Sequence, residues 1–271
     1  MHIKLRFICG LLLYLPGLAA GQETVAPSAA LAVESPDRIC ERIGSKLASV
    51  SVSECNRQQM EPSGGVSVNG SPILIKTYPP LERREPLGKV LLVGGMHGDE
   101  YSSVSVVFKW MNILNKHHSG LFHWRFAPLV NPDGLLRDES QRMNASGVDL
   151  NRNFPTPDWQ TETEDYWVNK TGRNPRRYPG AAPLSEPETR WLAKEIERFN
   201  PDVIVSVHAP YGVVDYDGPR NGPLSPGAFV SGTAGHLPGL VGALCRRSPG
   251  KTAGDHRTAV RRHHADSGRN Q

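Results

Sequence analysis

Two histidines and one glutamate have the residue types of a divalent metal site. His97 and Glu100 are three positions apart, and His208 follows much later in the chain. Two imidazoles and one carboxylate provide three protein ligands, and hydrolytic zinc sites keep the fourth position open for water. Because a histidine and a glutamate at this spacing are common by chance, the prediction depends on the elements that carry them.

Both histidines are expected at the carboxyl ends of buried strands. Residues 89–93 form a short apolar run that two glycines end, and residues 202–207 have the same character immediately before His208. Residues 102–115 have the pattern of a helix that follows the first strand. Open α/β sheets place their sites at such strand-to-helix turns, so the sequence predicts a metal site at one edge of a sheet.

Further motifs between these ligands resemble those of the zinc carboxypeptidase family. In the family's order, the chain contains His97-Gly-Asp-Glu100, Asn131-Pro-Asp-Gly134, Gly147-Val-Asp-Leu-Asn-Arg-Asn-Phe154 and His208. The third motif is most similar to the bacterial branch of murein peptide amidases. The resemblance implies an α/β fold, a three-layer α/β/α sandwich with a mixed central sheet. It also implies one zinc ion and hydrolysis of the C-terminal amide bond of a peptide, the substrate of the murein branch being a γ-D-glutamyl–diaminopimelate peptide.

The resemblance also assigns roles to residues near the third motif. Asn151 and Arg152 match the pair that binds the substrate's terminal carboxylate, and a guanidinium suits this role because it can donate to both oxygens. Arg142 matches the arginine that stabilises the oxyanion of the tetrahedral intermediate, and Arg137 is a nearby alternative for that role. The implied partner is a peptide with a free C-terminal carboxylate.

Four other acidic residues are expected to have structural roles. Asp133 and Asp149 are interpreted as groups that orient ligands and turns. Glu186 and Glu188 are interpreted as charges in the first turn of a helix over residues 185–199. The polar segment 156–183 is predicted to be a long loop beside the site, where substrate selectivity is commonly determined.

The family pattern also requires a glutamate as general base, on a strand well after the third ligand, and this sequence has no glutamate after His208. The later acidic residues are Asp215, Asp217, Asp255 and Asp266. The first two could meet a substrate ammonium or belong to a turn. Two alternatives to an active enzyme of this family therefore stay open. One is a catalytically inactive zinc-binding protein, and the other is an aspartoacylase-like deacylase of an N-acyl amino acid.

The carboxyl-terminal segment 240–271 has an unusual composition, with seven lysines and arginines against two aspartates and no aromatic residue. For one permitted choice of codons, a shifted reading frame across this segment contains Pro-Leu-Val-Thr-Ile-Glu-Leu-Pro. That string has the pattern of a buried strand and includes the missing glutamate. We therefore expect the basic tail to be a frameshift product that is disordered and replaces the last strand or strands of the sheet.

The amino-terminal residues 1–21 have a basic start, an apolar stretch and small residues, which are typical of a secretory signal peptide. We expect a periplasmic or secreted protein, in which Cys40 and Cys55 form a disulfide within a leader segment over residues 22–70. The catalytic domain is expected over residues 71–239, and a β-hairpin is expected to turn at Asn69-Gly70. No membrane span, nucleic-acid partner or oligomer is predicted.

Overall fold

The computed structural model describes residues 34–156 and 159–209. The expected signal peptide, the start of the leader, Asp215, Asp217 and the basic tail lie outside these residues. None of the helices within the described ranges combines the length and the apolar character that crossing a membrane requires.

Within the described residues, five strands form one mixed sheet. They are β1 (Glu61–Val66), β2 (Pro72–Tyr78), β3 (Lys89–Val93), β4 (His123–Ala127) and β5 (Val203–Ser206). Their order across the sheet is β1-β2-β4-β3-β5. β2 is antiparallel to both β1 and β4, whereas β3 is parallel to both β4 and β5. The two strands predicted before the histidine ligands are therefore confirmed, and they are neighbours. β3 is largely buried as expected, whereas the residues of β5 are only half-buried.

In the part of the chain that the structure describes, five α-helices accompany the sheet, namely α1 (Pro36–Lys46), α2 (Val52–Arg57), α3 (Tyr101–His117), α4 (Pro132–Leu135) and α5 (Pro187–Phe199). α1 begins after Ser35, whose hydroxyl accepts a hydrogen bond from the Arg38 N–H and so satisfies one donor of the first turn. α5 ends at Asn200, whose left-handed backbone stops the helix. The predicted helices over residues 102–115 and 185–199 are confirmed, with small differences at their ends.

Helices cover both faces of the sheet, because successive strand residues point to opposite sides. Leu92 of β3 packs in a buried cluster with side chains of α1 and α3, including Ile43 and Phe108. Its neighbour Leu91 packs in a second cluster with side chains of α5, including Leu192. The expected three-layer α/β/α sandwich is therefore confirmed for the described residues.

Residues 34–70 belong to the same packed unit as the described residues that follow them. A disulfide joins Cys40 of α1 to Cys55 of α2, as predicted, and both cysteines lie in the core cluster beside α3. The expected hairpin is formed by β1 and β2, and Gly70 takes a positive φ of 82° at its turn. A domain boundary at residue 70 would cut this hairpin, so residues 34–70 are not a separate leader but part of the sandwich.

The segment 156–183, which was predicted to be a long loop, contains short helical turns in its described part. It contains two single helical turns with π-type hydrogen bonding, Trp159–Thr163 and Tyr166–Lys170, and a 3₁₀ turn over Pro175–Arg177. The indole of Trp159 is buried and donates to the carbonyl of Arg152 at 3.1 Å, which fixes the first turn against the candidate site. The prolines of this segment indicated a loop, whereas the buried aromatic side chain determines its fold.

Candidate active site

The candidate ligands converge because their strands are neighbours. β3 and β5 are parallel, and Val93 at the end of β3 pairs with Ser206 at the end of β5. The chain continues from these two ends to His97 and to His208, so both imidazoles arrive at the same edge of the sheet. Glu100 lies at the start of α3 and makes no capping hydrogen bond to it. Its carboxylate is therefore available to the two histidines.

The three side chains face one another through the atoms that could bind a metal. Nδ1 of His97 lies 2.8 Å from Oε1 of Glu100, and Nδ1 of His208 lies 3.0 Å from Oε2 of the same residue. The two Nδ1 atoms are 3.2 Å apart. Ligands of a tetrahedral zinc ion at its usual bond lengths lie about 3.3 Å from one another. The predicted set of His97, Glu100 and His208 is therefore brought together with spacings that fit zinc.

The protonation of this cluster also suits a metal. Burial alone would raise the pKa of Glu100, but hydrogen bonds and charges from His208 and His97 hold it well below its usual range. Burial lowers the pKa of His208, and the charges of His97 and Arg142 lower it further, against a hydrogen bond to Glu100 that raises it. An ionised carboxylate and a neutral imidazole are the forms that bind divalent metals.

Asp149 orients the first histidine. It is fully buried, and its Oδ1 lies 3.0 Å from Nε2 of His97. Burial raises the pKa of this carboxyl, but the charge and hydrogen bond of His97 and the charges of Arg142 and Arg152 outweigh it, so the pKa is well below the usual range. An ionised Asp149 accepts a hydrogen bond from the Nε2–H of His97 and so leaves Nδ1 unprotonated towards the ligand cluster. The orienting role expected for Asp149 agrees with this geometry.

Arg142 is the arginine that lies beside the candidate ligands. Its Nε donates to Oδ2 of Asp149 at 2.9 Å, and one terminal nitrogen lies 3.4 Å from Oε1 of Glu100. The guanidinium is buried, which strengthens its field at the site. Arg137, the alternative for the same role, is exposed, and its carbonyl accepts from Lys46 on α1.

Asn151 and Arg152 follow Asp149 in a short 3₁₀ turn. Nδ2 of Asn151 lies 3.5 Å from Nε2 of His208, so this amide borders the ligand cluster. Arg152 is buried, donates to the carbonyl of Asn151 at 2.7 Å and stands over the ring of Tyr166. Burial lowers the pKa of its guanidinium. Its Nε has no hydrogen-bond partner among the described residues, which suits a group that receives an anion.

No role was predicted for Asn131, which joins the two segments of the site. Its amide Nδ2 lies 3.3 Å from the carbonyl of Met96 and 3.2 Å from that of Arg142, while its Oδ1 accepts from the Gly134 N–H. One side chain thus connects the residue before His97 to the candidate oxyanion arginine. Its place in the second family motif is the signal that could have identified it.

Gly98, between the first two candidate ligands, lies against the backbone that follows Asn131. A Cβ atom at this position would stand 2.1 Å from the carbonyl carbon of Gly134. The adjoining Asp99 forms an ion pair of 2.7 Å with Arg176 in the 3₁₀ turn of the segment 156–183. The ligand loop is therefore packed closely on one side and paired with the segment expected to affect selectivity on the other.

The interpretation of Glu186 and Glu188 as charges at the start of α5 is incomplete. Both residues are buried, and Glu186 makes no capping hydrogen bond to the helix. Each accepts a hydrogen bond from Nδ2 of Asn144, on the segment between Arg142 and Asp149. A pattern of acidic residues at a helix start is typical of solvent-exposed charges, and burial of both could not be seen in the sequence.

Two parallel strands bring two histidines, a glutamate and a buried arginine together at their carboxyl ends. This arrangement defines a scaffold of the zinc hydrolase class. The profile of the zinc carboxypeptidase family matches residues 55–220. The chain therefore belongs to the zinc carboxypeptidase family and is a hydrolase of the metallocarboxypeptidase type.

Individual relatives agree with this assignment. The chain is 34% identical over 194 residues to murein peptide amidase A of Escherichia coli strain K12. The alignment covers 67% of this chain and 74% of that protein. It is also 34% identical over 159 residues to murein peptide amidase A of Vibrio campbellii, covering 56% of this chain and 59% of the relative.

Among solved structures, bovine thrombin-activatable fibrinolysis inhibitor in complex with tick carboxypeptidase inhibitor matches with a TM-score of 0.51 and 21% identity. The match covers 69% of this chain and 65% of that one. At this level of identity the likeness shows the fold alone.

Proposed function

We propose that this chain is a zinc-dependent amidase that hydrolyses the C-terminal amide bond of a short peptide. One observation carries the proposal. The possible ligand atoms of His97, Glu100 and His208 all lie within 4.8 Å of one another, and the buried guanidinium of Arg142 lies beside them. The family and the zinc-type ligand set support the same reaction class.

The residues divide the chemistry among them. Zinc held by His97, Glu100 and His208 would polarise the scissile carbonyl and lower the pKa of a bound water. Asp149 keeps the imidazole of His97 in the tautomer that such a site needs, since it accepts a hydrogen bond from the Nε2–H. Arg142 supplies a buried positive charge where negative charge develops on the carbonyl oxygen.

Asn151 and Arg152 are proposed to bind the terminal carboxylate of the substrate. The amide of Asn151 borders His208, so a carboxylate held there would lie close to the metal ligands. The guanidinium of Arg152 adds a buried cation immediately behind that amide. A free C-terminal carboxylate is thereby distinguished from an internal peptide bond, which carries no charge.

We further propose a murein peptide as the substrate, cleaved at its γ-D-glutamyl–diaminopimelate bond. The support for this is the 34% identity to proteins named murein peptide amidase A. Residues 1–21, with the pattern of a signal peptide, support action in the periplasm or outside the cell, and the protein is proposed to act as a monomer.

A zinc-binding protein without turnover is the competing candidate, because the sequence has no glutamate after His208 to act as general base. For one permitted choice of codons, a shifted frame over residues 239–260 includes one, and we propose that an active form of the enzyme is encoded in that frame. The gene should first be resequenced across codons 230–271 and translated in all three frames.

The decisive experiment compares this chain with the product of the shifted frame. Both are purified, their zinc content is measured, and each is incubated with L-Ala-γ-D-Glu-diaminopimelate and, separately, with an N-acyl amino acid. We expect both proteins to bind one zinc ion, and turnover of the tripeptide only with the glutamate-containing product. Turnover of the N-acyl amino acid alone would favour a deacylase. Turnover that survives Glu100→Ala would contradict a metal mechanism.

A further inference from the structure

The side-chain amide of Asn144 is buried and makes four hydrogen bonds. Its Nδ2 donates to Oε2 of Glu186 at 2.8 Å and to Oε2 of Glu188 at 3.2 Å. Its Oδ1 accepts from the backbone N–H groups of Ser146 at 3.1 Å and Val148 at 3.0 Å. Both hydrogens and both lone pairs of the amide are thus used, which fixes its orientation.

The two glutamates that accept hydrogen bonds from the Asn144 amide lie on a rigid helix. Glu186 and Glu188 lie at the start of α5, whose apolar face is buried against the sheet. Oε1 of Glu188 also accepts from the Val68 N–H in the β1–β2 turn, and Oε1 of Glu186 accepts from the hydroxyl of Ser185. The carboxyl groups are therefore fixed by several elements before they meet Asn144.

Asn144 also stabilises the backbone turn over residues 144–148, which leads to the candidate site. Its backbone N–H donates to the carbonyl of Val148 at 3.0 Å, and Gly147 supplies a positive φ of 77° between them. Arg142 precedes this turn by two residues, and Asp149 follows Val148 directly. The two ends of the turn meet again in the 2.9 Å bond from Arg142 to Asp149.

We propose that Asn144, held by Glu186 and Glu188, is a positioning residue for the metal centre. It fixes the turn so that Asp149 reaches His97 and Arg142 lies beside Glu100. This inference rests on the proposed function, because it concerns the affinity of the same ligands for zinc.

The burial of two carboxyl groups without a cation supports a specific role for them. Among the described residues, no salt bridge involves Glu186 or Glu188. Burial raises the pKa of Glu188 to about 7, and the nearby charge of Asp133 raises it further, against hydrogen bonds from Asn144 and Val68 that lower it. Unpaired buried carboxyls reduce stability, so their presence here is explained if the bonds to Asn144 position the turn.

The test measures zinc affinity, which needs no turnover. The full chain and an Asn144→Asp variant are titrated with zinc at pH 8 in competition with a chromophoric chelator. The substitution conserves shape but replaces the donors to both glutamates by a carboxylate. We expect the zinc dissociation constant to rise about tenfold, as for other changes behind metal ligands. A double variant that combines Asn144→Asp with Glu188→Gln restores one donor–acceptor pair. It should recover part of the lost zinc affinity.

Asn112→Asp is the matched control. Asn112 also donates from its amide to a glutamate, Glu54, but in a separate network with Gln58 on the α2–α3 side of the molecule. It should lower stability without changing the zinc dissociation constant. If Asn144→Asp does not fold by circular dichroism, Glu188→Gln alone replaces it, with an expected rise of about threefold on the same scale.

The outcomes separate this inference from the proposed function. A wild-type chain that binds no zinc contradicts the proposed function itself. A wild-type chain that binds zinc, together with folded Asn144 or Glu188 variants of unchanged affinity, overturns the positioning role. Lower stability with unchanged affinity would show that the Asn144 network is merely structural, and so also contradicts the inference.

Discussion

Nε2 of His97 lies 3.0 Å from Oδ1 of Asp149, at a point where the carboxylate is fully buried. Because this bond occupies one ring nitrogen, the other is directed at Glu100 and His208. The second oxygen of Asp149 accepts from Arg142. A single carboxylate therefore couples the orientation of a candidate metal ligand to that of the candidate oxyanion group.

Asp149→Asn should weaken zinc binding by about 10- to 100-fold, because the amide can donate to His97 and stabilise the wrong tautomer. Competition titration with a chelator measures this change on the purified chain. Asp133→Asn is the control, since Asp133 is also buried but bonds to Ser67 and Asn69 in the β1–β2 turn. Equal zinc affinities of the two variants would contradict the orienting role of Asp149.

Gly98→Ala should reduce both stability and zinc binding. Its Cβ would stand 2.1 Å from the backbone of Gly134, so the ligand loop must move, at a cost of about 1–3 kcal/mol. Urea unfolding and zinc titration measure the two effects. At Gly88 the nearest atom to an added Cβ is 3.5 Å away, so Gly88→Ala should be close to neutral. A Gly98→Ala protein with wild-type zinc affinity would show that the loop tolerates the shift.

Glu188→Gln should remove a pH-dependent loss of stability between about pH 4.5 and 7. Burial raises the pKa of Glu188 from 4.5 to about 7, so the folded state binds more protons than the unfolded state in this interval. The contribution of Glu188 to the free energy of unfolding of the wild type therefore falls as the pH rises. A change of this size corresponds to roughly 3 kcal/mol.

Urea unfolding of wild type and Glu188→Gln from pH 4.5 to 8 measures this difference. Asp133 and Glu186 are the charged groups near Glu188 and remain in both proteins. Glu61→Gln, at an exposed position of β1, controls for the loss of one carboxylate. A difference between wild type and Glu188→Gln that does not vary with pH would refute the prediction.

Replacing Cys40 and Cys55 by alanine should lower the free energy of unfolding by about 3 kcal/mol, because the disulfide closes a loop of 15 residues in the unfolded chain. Urea unfolding under oxidising conditions measures the loss. Reducing agent should destabilise the wild type by a similar amount and leave the double variant unchanged. If the reductant destabilised both proteins equally, the stability loss would not come from the Cys40–Cys55 disulfide.

The elements that position the site could be predicted because their signals are local. The apolar run of residues 89–93 and its counterpart before His208 indicated buried strands, and the structure makes them parallel neighbours. The ligand spacing then follows from sheet geometry. The pairing of Cys40 with Cys55 followed from the expected oxidising compartment and is also present.

The interactions behind the ligands could not be predicted in the same way, because they join residues far apart in the chain. Nothing local to Glu188 indicates that it is buried or that it meets Asn144, and its position after Ser185 and Pro187 is equally typical of an exposed helix start. The helical turns around Trp159 depend on burial of its indole beside Arg152, which is a tertiary effect.

His97 and His208 are 111 residues apart in the chain, yet their Nδ1 atoms nearly touch. An ion bound by both residues would hold β3 to β5, and it would stabilise the folded chain because the unfolded chain would bind it only weakly. Metal supply would then affect the stability of the folded chain as well as its reaction. A chelator should accordingly lower the free energy of unfolding of the zinc-loaded chain.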